Sequence, residues 1–128
     1  MRALLDTHAF LWWVTDDSRL SPTAKSIITD SSNLLFLSAA SVWEIVIKVR
    51  LGKLTLPEPL ETYIPSRLTM NRIESLPITF IHTLQVSHLP DLHQDPFDRI
   101  IIAQSQVEKM PIVTVDSKMA QYPIAVIW

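Results

Sequence analysis

The chain has 128 residues, 48% of them hydrophobic, which is enough for one domain with a buried core and argues against disorder. It contains no cysteine, which excludes disulfides, thiolate zinc sites and a cysteine nucleophile. A single glycine, Gly52, excludes the glycine-rich loops of P-loop and dinucleotide-binding proteins. The formal net charge is −2, although nucleic-acid binders usually carry surplus lysine and arginine. Either the partner is not a nucleic acid, or some acidic residues bind cations.

The N-terminal segment is apolar, but Asp6 and His8 interrupt it before the core of a signal peptide could form. No apolar run approaches the length needed to cross a bilayer. No repeat, low-complexity segment or linker divides the chain. We therefore expect a soluble, cytoplasmic protein that consists of one domain over residues 1–128 and does not bind membranes.

The predicted elements alternate between short apolar strands and helices. In chain order they are a strand at 3–5, helices at 7–14 and 22–30, a strand at 34–37, helices at 39–51 and 60–72, a strand at 75–78, helices at 80–86 and 96–109, and strands at 112–115 and 124–127. Ser21 before Pro22 is typical of a helix start and Gly52 of a helix end, whereas Pro65 predicts a kink or break. This alternation indicates a three-layer α/β sandwich with a central parallel sheet.

Two aspartates follow predicted strands. Asp6 comes directly after the first strand, and Asp116 directly after the strand at 112–115. In open α/β sheets the chemistry collects at the carboxyl ends of the strands, so both residues lie where a site is expected. For either aspartate alone, a helix cap is the more common role.

Glu44 lies on the predicted helix at 39–51, beside one of its two apolar stripes. A carboxylate in such a position is costly to bury unless a cation or a hydrogen-bond donor meets it. The alternatives are that its tip reaches solvent, or that it pairs with Lys48.

Asp95 and Asp98 begin the predicted helix at 96–109. Asp95 precedes Pro96, as an ordinary N-cap does, and Asp98 three residues later completes a capping box or favours the helix dipole. Asp98 also heads the apolar face of Ile101 and Ile102, so its side chain is expected to point inward.

The carboxylates of Asp6, Glu44, Asp98 and Asp116 therefore form a candidate cluster. Carboxylates cannot lie close together uncompensated, because like charges repel and raise each other's pKa. A hard divalent cation relieves this repulsion, and ligands that are all oxygens favour magnesium or manganese over zinc. Such an ion can activate water and bind a phosphodiester.

The histidines and tryptophans give weaker signals. His82, His88 and His93 lack the spacing of a helical zinc pair, and His8 stands apart, so surface or hydrogen-bonded roles are expected. Tryptophans can stack on nucleic-acid bases, but aliphatic neighbours favour packing in a core or an interface. The four are Trp12, Trp13, Trp43 and Trp128.

Four segments resemble, in order, the motifs of the PIN-domain family, especially its VapC-like toxins from toxin–antitoxin systems. They are LLDTHAFLW at 4–12, SAASVWEI at 38–45 with its continuation to 54, HQDPFDR at 93–99 with 100–104, and VTVD at 113–116. No single motif is strong, but the ordered combination spans essentially the whole chain.

The resemblance implies a parallel α/β sandwich and a magnesium- or manganese-dependent endoribonuclease. Metal-activated water would hydrolyse RNA and leave a 3′-hydroxyl and a 5′-phosphate. The family's acidic residues correspond by position to Asp6, Glu44 and Asp98, as the main metal ligands, and Asp116, which binds directly or through water. The toxin branch also implies a homodimer that a small antitoxin protein neutralises.

Several residues keep two interpretations. Asp95 binds the metal or only caps a helix, and the role of His93 stays open. Thr7 orients Asp6 or a metal-bound water, or merely starts a helix. The basic residues of the second motif contact the RNA backbone or form an ordinary solvated helix end; they are Lys48, Arg50 and Lys53.

Other functions fit part of the pattern. The acids could only cap helices in a non-catalytic α/β binding module, or the chain could process RNA without an antitoxin. Haloacid-dehalogenase-like enzymes need a second aspartate where His8 stands, and receiver domains need an acid after the third strand, which ends near Ile78 without one.

A homodimer is also indicated by the two apolar sides of helix 39–51, because one suits the core and Trp43 could face a partner.

Overall fold

A computed structural model describes all residues from Met1 to Trp128. The strands are β1 (Arg2–Leu5), β2 (Leu34–Ser38), β3 (Ile73–Leu76), β4 (Ile112–Val113) and β5 (Val126–Ile127). The helices are α1 (Thr7–Val14), α2 (Pro22–Thr29), α3 (Ala39–Arg50), α4 (Leu60–Met70), α5 (Phe80–Gln85) and α6 (Pro96–Glu108), with 3₁₀ turns at Val86–His88 and Met119–Gln121. None of these helices combines the length and the apolar character needed to span a membrane.

The five strands form one sheet in the order β3-β2-β1-β4-β5, and all four pairings are parallel. Side chains alternate between its faces, so the adjacent residues Leu4 and Leu5 of β1 enter two different hydrophobic clusters. Leu5 packs with residues of α1, α2, α3 and α4, whereas Leu4 packs with residues of α6. The predicted three-layer α/β sandwich is confirmed.

The helix signals read from the sequence operate as expected at two positions. The Ser21 hydroxyl accepts a hydrogen bond from the backbone N–H of Ala24 at 3.0 Å and caps α2. Gly52 follows α3 with a φ of +72°, the left-handed conformation that glycine adopts most readily. A break at Pro65 was expected and is not observed, because α4 is one continuous helix that includes Pro65.

Two strands differ from their predicted bounds. β3 lies two residues earlier than predicted, and Pro77, which has no N–H to donate to a ladder, follows its last residue. β4 ends at Val113 rather than at residue 115, and Val115 is exposed. The cause is Thr114, whose hydroxyl accepts the backbone N–H of Asp116 at 3.0 Å and turns the chain out of the sheet.

Candidate active site

The parallel sheet brings two of the candidate acids to one edge. Asp6 directly follows β1, and Asp116 lies three residues beyond β4, the neighbouring strand. Burial raises the pKa of Asp6, and the negative charge of Asp116 acts in the same direction as a smaller cause. The sequence prediction that these two aspartates share a site is supported by their placement at the same sheet edge.

Asp6 is held by its neighbours on both oxygens. One oxygen accepts the backbone N–H of Ala9 at 2.6 Å, which makes Asp6 the N-cap of α1, and the other accepts the Thr114 hydroxyl. Asp6 is only 5% exposed, and this burial raises its pKa above the ordinary value. The capping role is therefore compatible with a role in the site, because each carboxylate oxygen retains a further lone pair.

Glu44 is a buried residue of α3 that contacts α1. Its Oε1 lies 2.8 Å from the Thr7 hydroxyl, and its Oε2 lies 2.9 Å from the Lys48 ammonium, one helical turn further along α3. The Thr7 hydroxyl is also 2.9 Å from that of Ser41. Pairing with Lys48, one of the alternatives considered for Glu44, is thus observed. Thr7 begins α1, which is one of the roles considered for it, and its hydroxyl donates to Glu44 rather than to Asp6.

Asp98 lies in the first turn of α6 and faces the other acids. Burial raises its pKa to about 7, and the negative charges of Asp95, Glu44 and Asp116 act in the same direction, whereas His93 opposes them. This set of neighbours connects Asp98 to α3 and to the loop after β4. The inward orientation expected from the sequence is consistent with these contacts.

His93 lies between two of the acids. Its Nε2 is 2.9 Å from Asp98 Oδ2 and 3.0 Å from Asp116 Oδ2. Its Nδ1 accepts the backbone N–H of Asp95 at 3.3 Å, so the ring proton belongs on Nε2, where it faces both carboxylates. Burial would raise the pKa of Asp116, but hydrogen bonds from His93 and from the backbone N–H of Lys118 lower it.

The segment that carries His93 is fixed from the side of α6. Arg99 donates to the carbonyl oxygens of Pro90 and His93 at 3.0 and 3.2 Å. The Tyr122 hydroxyl accepts the backbone N–H of His93 at 2.8 Å and donates to Pro90 at 3.0 Å. His93 is therefore positioned by part-buried and exposed polar contacts. Sequence reasoning missed its place between the acids, because that place depends on contacts far apart in the chain.

Asp95 is the N-cap of α6. Its Oδ1 accepts the backbone N–H groups of Phe97 and Asp98 at 2.8 and 3.3 Å. It is not a member of the compact group of ligand atoms, which contains one atom each from His93, Asp98 and Asp116, all within 4.8 Å of one another. Asp6 and Glu44 also lie outside that compact group.

The carboxylates of the compact group are chemically suited to a hard divalent cation. Metal–oxygen distances of about 2.0 to 2.6 Å place two ligands of one ion within about 5 Å of each other, which matches the compact group. Only one histidine N–H faces the carboxylates of Asp98 and Asp116, so their charge is only partly compensated. The compact group contains two of the four predicted acids, Asp98 and Asp116, together with His93, whose role the sequence left open.

The basic residues proposed as RNA contacts differ in their surroundings. Lys48 is half-buried and bound to Glu44. Arg50 and Lys53 are exposed at the end of α3 and just after it.

Comparison with known proteins decides the family. The family model described as PIN domain matches residues 3–125. The chain belongs to the PIN-domain family. One curated relative, Ribonuclease VapC16 of Mycobacterium tuberculosis, is 44% identical to this PIN domain over 59 residues. That alignment covers 46% of this chain and 42% of the relative, so the chain matches less than half of the relative's length.

Solved structures share the fold of this PIN domain at low sequence identity. VapBC2 from Rickettsia felis, bound to a promoter DNA fragment, has a TM-score of 0.71 and 15% identity, with 98% of this chain and 97% of that chain covered. FitAcB from Neisseria gonorrhoeae has a TM-score of 0.59 and 19% identity, with 97% and 95% covered. A toxin–antitoxin complex from Klebsiella pneumoniae has a TM-score of 0.56 and 15% identity, with 94% and 92% covered. These likenesses concern the fold.

Proposed function

We propose that this PIN domain is a metal-dependent endoribonuclease whose site consists of Asp6, Glu44, Asp98 and Asp116. The observation that carries the proposal is the convergence of acids from β1, α3, α6 and the loop after β4, of which Asp98 is influenced electrostatically by both Glu44 and Asp116. A phosphodiester carries a negative charge of its own. A site this acidic therefore needs a cation before it can accept RNA.

Magnesium or manganese is the proposed ion. Asp98 and Asp116 would supply two of its carboxylate ligands, and Asp6 and Glu44 would complete the set with the lone pairs that Thr114, Thr7 and Lys48 leave free. When bound, such an ion supplies a Lewis acid that lowers the pKa of a bound water and stabilises charge on the phosphoryl oxygens.

The other residues of the site orient these acids. Thr114 donates to Asp6 and accepts the backbone N–H of Asp116, so one buried hydroxyl links the two strand ends. Thr7 and Lys48 hold opposite oxygens of Glu44. The hydroxyls that lie beside carboxylates, those of Thr7 and Thr114, are buried and orient Glu44 and Asp6, so we propose that water rather than a side chain is the nucleophile. The products of this hydrolysis would be a 3′-hydroxyl and a 5′-phosphate.

RNA is the proposed substrate, and the cytoplasm the proposed place of action. The curated relative is named a ribonuclease. Positive charge for the RNA backbone is available next to Glu44; the proposed contacts are Lys48, Arg50 and Lys53. Lys48 links the acidic site to the proposed RNA contacts. Its ammonium lies beside Glu44, and its helix, α3, ends near Arg50 and Lys53.

We further propose that this nuclease is the toxin of a toxin–antitoxin pair and forms a homodimer. The support for an antitoxin is that a structural neighbour is described as a toxin–antitoxin complex. A surface for the homodimer is available on α3, where Trp43 is 60% exposed and contacts Phe97 of α6, with ring centroids 5.1 Å apart. A small antitoxin protein would then inhibit RNA cleavage when it is added to the purified nuclease.

The test is cleavage of single-stranded RNA with magnesium or manganese, with chelator, and in the variants Asp6→Asn and Asp98→Asn. We expect cleavage by wild type that chelation abolishes and that each substitution lowers by at least about 100-fold, since removal of one group that stabilises developing charge has effects of this size. Lys109→Gln, at the opposite end of α6, serves as the matched control and should cleave like wild type. Cleavage by both aspartate variants at the wild-type rate would refute the assignment.

A further inference from the structure

A cavity of about 310 Å³ lies between α1, the end of α3 and the segment before α4. We call it the Trp12 cavity. Its lining includes the apolar residues Leu11, Trp12, Leu54 and Tyr63 and the basic residues Arg19, Lys48 and Lys53. A volume of this size is at the lower end of the range of about 300 to 1,000 Å³ that is typical of ligand pockets.

The Trp12 cavity adjoins the acidic site directly. Lys48 belongs to both, since it lines the cavity and its ammonium lies 2.9 Å from Glu44 Oε2. His8 also lines the cavity and follows Asp6 by two residues in the first turn of α1. The cavity therefore lies next to the acids at which a phosphodiester of the substrate would lie.

The charge of the cavity is positive, although the chain as a whole is negative. The lining contains three cations, Arg19, Lys48 and Lys53, and one acid, Asp17. Arg19 already binds Asp17 with two hydrogen bonds of 3.0 and 2.7 Å, and Lys48 pairs with Glu44, which lies outside the cavity. The exposed Lys53 has no ion-pair partner. This positive charge favours an anionic ligand.

The walls favour a flat, apolar group beside that anion. His8 lies against Trp12 with ring centroids 5.6 Å apart, and the Arg19 guanidinium lies 4.9 Å from the centroid of the Trp12 ring. Aromatic rings and guanidinium planes are the groups on which proteins stack nucleobases. A phosphate alone would make no contact with the apolar residues of the cavity, and an uncharged apolar group would make no ion pair with its cations.

We propose that the Trp12 cavity binds one nucleotide of the RNA substrate adjacent to the scissile phosphodiester. The base packs against the side of the cavity formed by Trp12 and His8, and the phosphate faces Lys53 and Lys48. This inference rests on the proposed function, which it deepens by assigning sequence preference near the cleavage point to this cavity. The walls are shaped by the sequence around α1 and residues 53–57, so these segments determine which base is preferred.

The first experiment measures binding without catalysis. The four nucleoside 5′-monophosphates are titrated into the protein while the indole N–H signals of the tryptophans are observed by NMR, with Trp12→Phe used to assign the Trp12 signal. We expect the Trp12 signal to shift with at least one nucleotide. We expect Lys53→Gln to weaken this binding by about 5-fold or more, and Lys109→Gln, which lies about 16 Å away from Asp98 along α6, to leave it unchanged.

The second experiment measures cleavage of short single-stranded RNAs that differ in the bases next to one cleavage point. We expect wild type to prefer one base, and His8→Ala and Lys53→Gln to lower kcat/KM for that substrate by about 5- to 150-fold and to reduce the preference. Nucleotides that leave the Trp12 signal unmoved, or variants that equal Lys109→Gln in both experiments, would overturn the cavity assignment. A Trp12 shift in a wild-type protein that cleaves no RNA would refute the nuclease and leave the nucleotide site standing.

Discussion

At the scale of single residues, the site holds more negative charge than its own donors compensate. One N–H of His93 faces the carboxylates of both Asp98 and Asp116, while Asp95 and Glu44 add further negative charge around Asp98. In the metal-free protein, burial and these negative charges favour the protonated form of Asp98, and its pKa is raised to about 7. A bound cation would take the place of that proton.

Removing one of these charges should therefore stabilise the metal-free protein. Two unit charges about 6 Å apart, at an effective dielectric of about 20, repel by about 3 kcal/mol before rearrangement or protonation reduces the value. We expect Asp98→Asn to melt at a higher temperature than wild type in chelator, and magnesium or manganese to stabilise wild type more than the variant. Asp91→Asn, at a side chain that is 92% exposed, is the control and should follow wild type in both conditions. Equal melting of Asp98→Asn and wild type in chelator, with equal gains from metal, would contradict a shared site.

The pKa of Asp98 also predicts how the stability of chelated protein depends on pH. Between the ordinary value of 3.8 and about 7, the folded protein holds a proton that the unfolded chain has lost. The free energy of unfolding therefore decreases as pH rises through this window, by at most about 1.4 kcal/mol per pH unit for one proton. Asp6, whose pKa is also raised, acts in the same direction, and Asp116, whose pKa is lowered, titrates below the window.

Urea unfolding of chelated protein at several pH values between about 4.5 and 7.5 measures this dependence. We expect wild type to lose stability as pH rises and Asp98→Asn to lose less. Parallel curves for the two proteins would show that Asp98 does not carry the raised pKa.

The four acids carry signals in the local sequence, whereas most of their partners do not. Lys48, which was considered as a partner of Glu44, is the exception. Asp6 and Asp116 follow strands of a parallel sheet, and Glu44 interrupts an apolar helix, so local patterns mark them. His93 and Thr114 belong to the same site through contacts with residues more than 20 positions away. Thr114 is a polar residue in an apolar strand, which is a signal that could have been used. Nothing in the spacing of the histidines distinguishes His93.

At the scale of elements, the start of α6 connects a structural role with a chemical one. Asp95 caps this helix, and the same turn carries Asp98 into the site. We expect Asp95→Ala to lower the free energy of unfolding by about 1 kcal/mol, because it removes the acceptor for the N–H groups of Phe97 and Asp98. Asp95→Asn should retain most of that stability, since asparagine caps helices about as well as aspartate.

Comparison of the two substitutions isolates the cap, because both remove the same negative charge. Urea unfolding in chelator gives the stabilities, and repetition with magnesium or manganese gives the effect of the metal. We expect Asp95→Asn to gain as much from metal as wild type. A much smaller gain would mean that Asp95 is itself a metal ligand and that its cap is secondary.

Most elements followed from local sequence, and the exceptions have tertiary causes. Apolar runs predicted the strands, and Ser21, Gly52 and Pro96 marked helix ends that the structure retains. β4 is shorter than its apolar run, because Thr114 turns toward Asp6 and Asp116. α4 continues through Pro65, so its packing, which buries Tyr63 and Ile64, outweighs the hydrogen bond that proline removes.

At the scale of the whole molecule, two helices each carry more than one exposed apolar side chain. Trp43 and Val46 of α3 are 60% and 38% exposed, and Trp43 packs edge-on against Phe97, next to the acidic site. On α5, Phe80, Ile81 and Leu84 are exposed. We expect α3 rather than α5 to form the homodimer interface. Trp43 is the larger anchor, and residues of this kind dominate protein–protein interfaces.

Substitution of one exposed apolar residue on α3 and of one on α5 distinguishes the two candidate interfaces. Stable interfaces bury about 800 Å² per partner, roughly a tenth of the 7144 Å² surface of this chain, with a few central aromatic residues supplying most of the affinity. A charge at the centre of such an interface is desolvated without a partner, so Trp43→Glu should turn the dimer into a monomer in sedimentation at micromolar concentration. Leu84→Glu is the matched control, because Leu84 is 56% exposed on α5, and it should leave the dimer intact. Dissociation by Leu84→Glu alone would place the interface on α5, and a wild-type monomer would refute the homodimer.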